Sequence, residues 1–375
     1  MWLSDIAWSA LWQRPQQLAT RFPDSARILF VEPWTLGHRA ALRPAEVAPR
    51  VRRVSFPFLP LHARSARLRR AAYAMGGSPI MTGALFSVQR AWAGRIAARR
   101  AGTRRLLVVQ NFMAAPFLDA LRPDRVVYDM IDAPLHFAPV PPRLVPRWEG
   151  LLRRADRVVV TSRPLESLAS SAGARAVSLL GNGVEASRFD PARVAPATLP
   201  GNPDAPIVGY VGSLHSWFDL PLVSALARAL PGARVVLVGP APPSVEEEIA
   251  RASRETPNLH WIGARPYAEV PGIVRAFRVG LIPFRRTPLT EAVNPVKLYE
   301  YAAAGVPCVT TRFSDEVDAW REAARVADDE ASFVAAARAL LAAPADPALL
   351  LAFARRHDWD AIGRRFVSIC LENAA

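Results

Sequence analysis

The chain has 375 residues, a formal net charge of +14 and 51% hydrophobic residues. This length predicts two domains, and the hydrophobic content with ten tryptophans excludes a disordered chain despite 35 prolines. The charge is uneven: residues 1–175 hold 27 basic against 11 acidic residues (+16), whereas residues 176–375 hold 20 against 22 (−2). The basic half fits anionic lipid, a phosphorylated acceptor or nucleic acid.

The cysteines and the apolar runs bear on the compartment. Cys308 and Cys370 form no spacing motif, which indicates a reducing environment. No apolar run approaches the roughly 20 residues that span a bilayer. The N-terminal segment meets Asp5 early and lacks a basic region, so it predicts no signal peptide. We therefore expect a cytoplasmic protein, peripheral on the inner face of the plasma membrane.

Apolar, β-branched runs alternate with helical patterns along the whole chain, which is typical of α/β architecture with parallel sheets. In the first half the predicted strands are 1–8, Arg27–Val31, Val51–Phe58, Arg105–Val109, Arg125–Asp129, Arg157–Ser162 and Ala176–Leu180. The predicted helices there are Pro15–Phe22, Ser87–Arg100 and Arg143–Arg154.

A Gly-, Pro- and Asp-rich stretch between Asn182 and Pro206 marks a linker, after which strands resume. The predicted strands of the second half are Ile207–Val211, Arg234–Val238, Leu259–Ile262, Val279–Ile282 and Pro307–Thr310, and Asp358–Glu372 is predicted as an amphipathic terminal helix. The expected organisation is an N-terminal domain over 1–185, a linker over 186–206, a C-terminal domain over 207–356 and a terminal helix over 357–375.

The single lysine of the chain, Lys297, lies in a segment with both helix ends marked. Asn294 can cap the helix, Pro295 suits its first position and Gly305 can close it. Lys297 then falls in the first turn, where free N–H groups and the helix dipole favour an anion. Glu300 shares that face. The pattern suits a ligand with phosphates and hydroxyls, although one lysine remaining by chance in an arginine-rich chain is the plain alternative.

Two strand ends offer further candidates. The strand Ile207–Val211 runs into Gly212 and Ser213, whose amides can approach a pyrophosphate. The strand Leu259–Ile262 runs into Gly263 and Arg265, where exposed backbone could contact a base. Neither segment has the spacing of a dinucleotide site or a P-loop, and an ordinary structural turn explains each of them about as well.

In the first half two carboxylates, Asp129 and Asp132, follow an apolar strand. One of them could orient or deprotonate a hydroxyl, or Asp132 could simply cap the next segment. His136 is the one histidine close to them in sequence. Asp358 and Asp360 resemble a metal-binding pair but are better explained by a helix cap, so we expect no metal.

The stretch from Leu61 to Tyr73 is basic and partly amphipathic, with Arg64, Arg67, Arg69 and Arg70. It predicts either a contact with an anionic membrane surface or a solvated arginine-rich face.

Together these stretches resemble the GT-B glycosyltransferases of the family 4 type, and the opening residues resemble a subgroup of bacterial cell-surface polysaccharide transferases. The resemblance covers essentially the whole chain and is most specific in the last of its segments: Trp8–Ala19, Ser162, Gly181–Val184 with Phe189, Gly209–Ser213, Pro257–Gly263 and Asn294–Val309.

The resemblance implies two Rossmann-like parallel-sheet domains facing a central cleft, with a C-terminal helix crossing back. It implies a retaining, metal-independent hexosyltransferase that needs no cofactor and uses a nucleotide-sugar donor. Its acceptor would be lipid-linked or a polysaccharide.

In that family Glu300 matches the glutamate that holds the nucleotide ribose, and Glu291 matches the one that contacts the donor sugar, with eight residues between them instead of seven. The implied donor-binding set is Gly212, Ser213, Gly263, Arg265, Asn294, Lys297, Leu298 and Glu300. The family's usual phosphate clamp after the first C-domain strand is absent, which gives Lys297 more of the phosphate contact, with Arg14 reaching toward it. Asp132 stands near the position of the family's catalytic histidine.

Other functions stay open at this point. A nucleotide-sugar 2-epimerase shares the fold but needs more acidic and histidine residues than the sequence offers. A basic nucleic-acid-binding protein is disfavoured because no reading motif or interleaved aromatic pattern appears. A non-catalytic sugar-binding relative is a further alternative. We therefore expect a nucleotide sugar, an acceptor and an anionic membrane surface as partners, and no nucleic acid.

Overall fold

The computed structural model describes residues 1–9, 12–36, 43–57, 62–63, 78–98, 104–137, 140 and 142–372. The chain divides into two compact units, the first comprising Met1–Gly181 with Gly363–Ala375 and the second Asn182–Ile362. Each unit contains its own parallel sheet, so the predicted α/β class with two parallel-sheet domains is confirmed.

The strands are β1 Trp2–Leu3, β2 Ile28–Pro33, β3 Thr35–Leu36, β4 Ala45–Ala48, β5 Val51–Phe56, β6 His62–Ala63, β7 Leu106–Val109, β8 Arg125–Met130, β9 Arg157–Val160, β10 Val177–Leu179, β11 Ile207–Val211, β12 Arg234–Val238, β13 Leu259–Trp261, β14 Val279–Ile282, β15 Cys308–Thr311 and β16 Ala324–Ala327. The α-helices of the described residues are Arg14–Ala19, Pro79–Ala98, Ala115–Leu121, Pro134–Phe137, Val145–Arg154, Arg163–Ser171, Ala186–Phe189, Leu220–Ala229, Pro243–Glu255, Val270–Arg275, Val296–Ala303, Glu330–Ala342, Pro347–Arg356 and Trp359–Leu371. Short 3₁₀ helices cover Phe112–Ala114, Pro142–Leu144, Thr290–Ala292 and Asp315–Trp320.

The sheet of the first unit has the order β10-β9-β8-β7-β1-β2-β5-β4, with every pair parallel except β4 and β5. Its central strands are short apolar runs because helices cover both faces of a parallel sheet. Trp2 is buried on β1 and packs against Phe30 and Phe366, with ring centroids 6.4 and 5.7 Å away. Phe366 belongs to the helix Trp359–Leu371, whose residues from Gly363 onward group with the first unit. The terminal helix therefore crosses back, as the resemblance implied.

The sheet of the second unit is wholly parallel, in the order β13-β12-β11-β14-β15-β16. The strand β11 lies between β12 and β14, so its carboxyl end has neighbours on both sides. Among the parallel strands of such a sheet, ligands bind at the carboxyl edge next to the point where the strand order reverses. The order of this sheet reverses at β11, which makes its end the place to examine.

Four strands, β3, β4, β6 and β16, were not predicted, and one helix begins earlier than predicted. The edge strands β4 and β16 were missed, because their sequences AEVA and ARVA carry little β-propensity and are held by pairing with one neighbour. The helix predicted to begin at Ser87 begins at Pro79 instead. Its first turns were missed because they lack the apolar periodicity that predicts a helix. Among the described helices none alone has the length and apolarity to cross a bilayer; the pair Glu330–Ala342 and Pro347–Arg356 meets that test only jointly and is bent by 113°.

Candidate functional site

Three glycines end three adjacent strands of the second unit. Gly212, Gly239 and Gly263 follow β11, β12 and β13 with φ of 149°, 144° and 70°. They are linked laterally: Gly212 N–H donates to the Val238 carbonyl at 2.9 Å, and Gly239 N–H donates to the Gly263 carbonyl at 2.9 Å. A Cβ at Gly239 would lie 2.0 Å from the Gly212 carbonyl oxygen. The carboxyl edge of the sheet is thus packed backbone against backbone, which leaves its rim open to a ligand.

Lys297 reaches this glycine edge from the helix Val296–Ala303. A Cβ at Gly212 would lie 2.8 Å from Lys297 Cε and 3.1 Å from Nζ. The ammonium lies 5.4 and 5.1 Å from the ring centroids of Tyr210 and Phe284, within the range of cation–π attraction. It makes no hydrogen bond or ion pair with any residue that the structure describes. Gly212 and Lys297, which are 85 positions apart in sequence, are therefore in contact.

The charge of the half-buried Lys297 ammonium is only partly compensated within the second unit. Burial lowers the pKa of Lys297 to about 8, and the negative charge of Glu300 opposes that shift. Withdrawing a cation from water without a hydrogen-bonded counter-ion costs free energy, and an incoming anion would reduce that cost. The side chain is therefore prepared for a negatively charged ligand, and a diphosphate fits the requirement.

The helix that carries Lys297 ends as predicted but begins differently. Gly305 has φ of 68°, its N–H donates to the Ala302 carbonyl at 3.0 Å, and the next residue donates to Tyr301 at 2.9 Å, which is a Schellman closure. The N-cap is Pro295 and not Asn294, so the predicted capping role of Asn294 is wrong.

Asn294 has a different structural task, because its side chain pairs with Asn182. Asn294 Oδ1 accepts the Asn182 N–H at 2.8 Å and the Tyr299 hydroxyl at 3.0 Å. The Asn182 side-chain amide in turn donates to the Asn294 carbonyl at 2.8 Å. This exchange fixes the loop before the helix, so Asn294 supports the position of Lys297 through the backbone.

Glu300 lies one turn beyond Lys297 and is buried with 8% of its surface exposed. Its carboxylate accepts a hydrogen bond from the Tyr267 hydroxyl at 3.3 Å. Burial raises the pKa of Glu300, while Lys297 and the Tyr267 hydroxyl oppose the rise. The Arg188 guanidinium lies 5.4 Å from the centroid of the Tyr267 ring. Tyr267, which the sequence analysis did not select as a site residue, thus contacts the carboxylate, and Arg188 packs on its ring.

The backbone amides at this edge are not equally available. Gly212 N–H is occupied by the Val238 carbonyl, so its predicted use for an anion is wrong. Ser213 N–H has no partner among the described residues, whereas Leu214 N–H donates to the Pro240 carbonyl. Ser213 therefore supplies the free amide of this turn, and the Ser213 carbonyl accepts the Tyr210 hydroxyl at 2.9 Å.

The remaining donor-side residues are more dispersed. Leu298 is fully buried, so its side chain belongs to the core, and its N–H donates to the Pro295 carbonyl at 3.2 Å. Arg265 is exposed on the loop after Gly263. Glu291 is ion-paired with Arg286 at 2.7 Å.

The arginine paired with Glu291 was not selected from the sequence. Arg286 also contacts Asp315 at 3.0 Å. The two consecutive arginines after β14 were the signal that could have identified this partner.

In the first unit Arg14 and Asp129 form a buried ion pair. Arg14 Nε lies 3.1 Å from both carboxylate oxygens of Asp129, and Nη2 lies 2.9 Å from Oδ1. Arg14 Nη1 donates to the Gly181 carbonyl at 2.9 Å, and Asp129 also accepts the Gln110 amide at 2.9 Å. Their exposed fractions are 2% and 0%. These two residues were predicted to contact an acceptor or phosphate, but their charged groups bind each other inside the unit.

Asp132 has a carboxylate neighbour that the sequence analysis did not select. Burial raises the pKa of Asp132 to about 6. Burial and then the charge of Asp132 raise the pKa of Asp5 to about 7, and Asp5 Oδ1 is buried without a partner in the described part of the chain. The two carboxylates follow β1 and β8 by two residues each. The position of Asp5 immediately after a short apolar strand was the available signal.

Other predicted features are placed as follows. His136 is exposed on the helix Pro134–Phe137. Asp358 Oδ1 accepts the Asp360 N–H at 2.8 Å and acts as a helix cap. Within the described ranges no group of three or more His, Cys, Asp or Glu side chains is arranged to hold a metal ion. Arg64, Arg67, Arg69 and Arg70 of the basic stretch lie outside the described residues.

Residues 205–343, which include the glycine edge and Lys297, match the family profile described as "Glycosyl transferases group 1". The *Bacillus subtilis* protein TuaH, whose name assigns it as a glycosyltransferase of teichuronic acid biosynthesis, is 28% identical over 218 residues. That match covers 54% of this chain and 54% of TuaH, so the chain spans about half the length of this curated relative.

Solved structures resemble the chain over nearly its whole length. An *E. coli* trehalose-6-phosphate structure bound with UDP-2-fluoro glucose superposes with a TM-score of 0.71 at 14% identity, covering 100% of this chain and 99% of the other. The chain has the GT-B fold. The sucrose-phosphate synthase of *Thermosynechococcus elongatus* agrees with this, with a TM-score of 0.67 at 17% identity over 94% and 91% of the two chains. A group 1 domain in a GT-B chain supports the resemblance seen in the sequence.

Proposed function

We propose that this GT-B protein is a glycosyltransferase that moves a sugar from a nucleotide-diphosphate sugar to a lipid-linked or polysaccharide acceptor. The observation that carries the proposal is the unpaired Lys297 ammonium beside the glycine edge, with the Glu300 carboxylate one turn away. A nucleotide sugar offers both partners that these groups require, a diphosphate and ribose hydroxyls. The UDP-2-fluoro glucose bound in the *E. coli* neighbour is a ligand of this class.

The leaving diphosphate would be stabilised by three fixed donors. Lys297 supplies the charge, Ser213 supplies a backbone amide, and the first N–H groups of the helix Val296–Ala303 supply the positive end of a helix dipole. Because these groups are held by packing before the ligand arrives, they act as preorganised electrostatic stabilisation. We propose that they serve in place of a metal ion.

The remaining roles follow the resemblance. Glu300 would accept hydrogen bonds from the ribose, and Glu291 would contact the donor sugar after leaving Arg286. Asp132 would polarise the acceptor hydroxyl, since a carboxylate with a pKa of about 6 is ionised yet still basic near neutral pH. We propose retention of the anomeric configuration and a peripheral position on the cytoplasmic face of the membrane. The teichuronic acid assignment in the name of TuaH favours a cell-envelope polysaccharide as the product.

Thermal-shift measurements with UDP-, GDP- and dTDP-sugars test the donor assignment. A ligand at 100 times its dissociation constant stabilises the native state by about 2.7 kcal/mol, and the same ligand concentration should produce a much smaller shift in Lys297→Ala. If none of these nucleotide sugars shifts the wild-type protein, the donor assignment is wrong.

The product of the active donor then tests the mechanism. NMR of the new linkage should show the donor's configuration, and turnover should survive EDTA. An inverted product contradicts the proposal of retention, and loss of activity in EDTA with recovery on adding a divalent metal contradicts metal independence.

A further inference from the structure

The helix Pro79–Ala98 of the first unit buries two polar side chains and leaves several large apolar ones exposed. Its inward positions include Thr82, Gln89 and Ala93, which are 4%, 0% and 0% exposed. Its outward positions include Ile80 and Val88, at 82% and 56% exposed. A helix on a protein surface normally turns its apolar stripe inward. Here polar side chains are buried and branched apolar ones face outward.

Specific contacts fix this orientation. The Thr82 hydroxyl accepts a hydrogen bond from Arg143 Nη2 at 3.4 Å, and the Gln89 amide donates to the Pro57 carbonyl at 3.3 Å. Trp92 packs against Phe56 with ring centroids 5.1 Å apart. A rotation of the helix to bury its apolar face would break these three contacts, at a cost. The apolar face therefore stays outward.

The outward face concentrates the exposed hydrophobic surface of the protein. Within the described residues, five large hydrophobic side chains are exposed, and three of them are Ile80, Met81 and Val88. The other two, Leu349 and Leu371, lie on different helices. Clustered exposed apolar side chains mark an interaction surface, whereas isolated ones are ordinary.

The charges on the same helix indicate the kind of partner. Arg90 and Arg95 are exposed, and the segment Pro79–Ala98 contains no acidic residue. Val88 and Arg95 are seven positions apart, which places them on one side of the helix. Nearby, the Arg147 guanidinium lies 4.0 Å from the centroid of the Phe86 ring. A helix that carries exposed apolar side chains and arginines, and no acidic residue of its own, complements a surface with an apolar interior and negatively charged headgroups.

We propose that the outward face of the helix Pro79–Ala98, formed by Ile80, Met81, Ala84 and Val88, docks on an anionic phospholipid bilayer. The helix lies in the interface plane, with these side chains at the headgroup boundary and with Arg90 and Arg95 against lipid phosphates. The inference deepens the proposed function, because a lipid-linked acceptor is held at such a surface.

The test compares vesicles of phosphatidylcholine with vesicles that also contain phosphatidylglycerol, in a sedimentation assay. The wild type should bind the anionic vesicles, and Ile80→Asn with Val88→Asn should reduce binding at least about tenfold. Leu349→Asn, a matched exposed change on another helix, should leave binding unchanged. Arg90→Gln with Arg95→Gln should weaken binding most at low salt.

Each outcome supports or overturns the inference. Vesicle binding that survives the helix double variant overturns it, and so does equal loss in the Leu349 control. Size-exclusion chromatography that shows a dimer abolished by the same helix variant would assign the face to a second copy and would also overturn it. The donor thermal shift, measured on the same variants, should not change. Vesicle binding without donor binding would therefore contradict the proposed function alone, and donor binding without vesicle binding would contradict the docking surface alone.

Discussion

Replacing Lys297 with methionine should stabilise the protein at neutral pH while weakening donor binding. Methionine keeps the unbranched length of the side chain but carries no charge, so it fits beside Gly212 without the cost of a buried ammonium. Burial has lowered the pKa of Lys297 from 10.5 to about 8. At about 1.4 kcal/mol per pKa unit the cost at pH 7 is about 3.5 kcal/mol, and partial exposure reduces the expected gain to about 1–3 kcal/mol.

The sign of the pH dependence provides an internal control. Between about pH 8 and pH 10.5 the unfolded chain keeps the lysine proton that the folded chain has lost, so the wild type gains stability as the pH rises. The variant Lys297→Met lacks this gain. The difference in stability between the two proteins should therefore be largest below pH 8 and should disappear by about pH 10.5.

Urea denaturation monitored by tryptophan fluorescence at pH 7 and pH 10 measures the stability gained in Lys297→Met and its dependence on pH. Calorimetry with the donor measures how much the substitution weakens donor binding. Loss of a charge-assisted contact should weaken the donor by about 1.5–3 kcal/mol. If Lys297→Met is less stable than the wild type at pH 7, or if the stability difference does not change with pH, burial of the Lys297 ammonium does not cost the folded protein stability and the prediction is wrong.

Three further predictions concern the other groups of the site. Gly239→Ala should destabilise the protein and impair donor binding, because the added Cβ would lie 2.0 Å from the Gly212 carbonyl oxygen. Gly232→Ala is the control, since its added Cβ would have no atom within 4 Å, and a parallel urea titration should show little change in stability. Glu300→Gln should raise the donor's dissociation constant, whereas Glu291→Gln should lower turnover more than donor binding. The reverse pattern in steady-state kinetics would show that the two glutamates were matched to the wrong positions of the family motif. Asp132→Asn should slow transfer by about 10²–10⁴, and the wild-type rate should rise with pH through about 6 as this carboxylate ionises; a pH profile that is the same in both proteins would limit Asp132 to a structural role.

Several features of the second unit follow from local sequence. The apolar strand runs, the glycine turn after β11 and the closure of the lysine helix by Gly305 depend on backbone sterics and burial over a few residues. Lys297 could be identified as a candidate anion-binding residue because it is the single lysine of the chain and lies in the first turn of a predicted helix. The one-residue error at Asn294 has a tertiary cause, since Asn182, 112 residues earlier, binds the side chain that would otherwise cap the helix.

The first unit shows what only tertiary structure decides. Arg14 and Asp129 are 115 residues apart, and each is an ordinary surface residue type until the sheet places them together in a buried pair. Asp5 becomes a neighbour of Asp132 only because β1 and β8 lie on either side of β7. Likewise, the helix Pro79–Ala98 has no clear apolar stripe in its sequence, and its outward face is set by contacts with Phe56, Pro57 and Arg143. Local propensity acts over a few residues, whereas pairing order and burial depend on which distant segments meet, so the charges of this protein acquire their roles only in the folded chain.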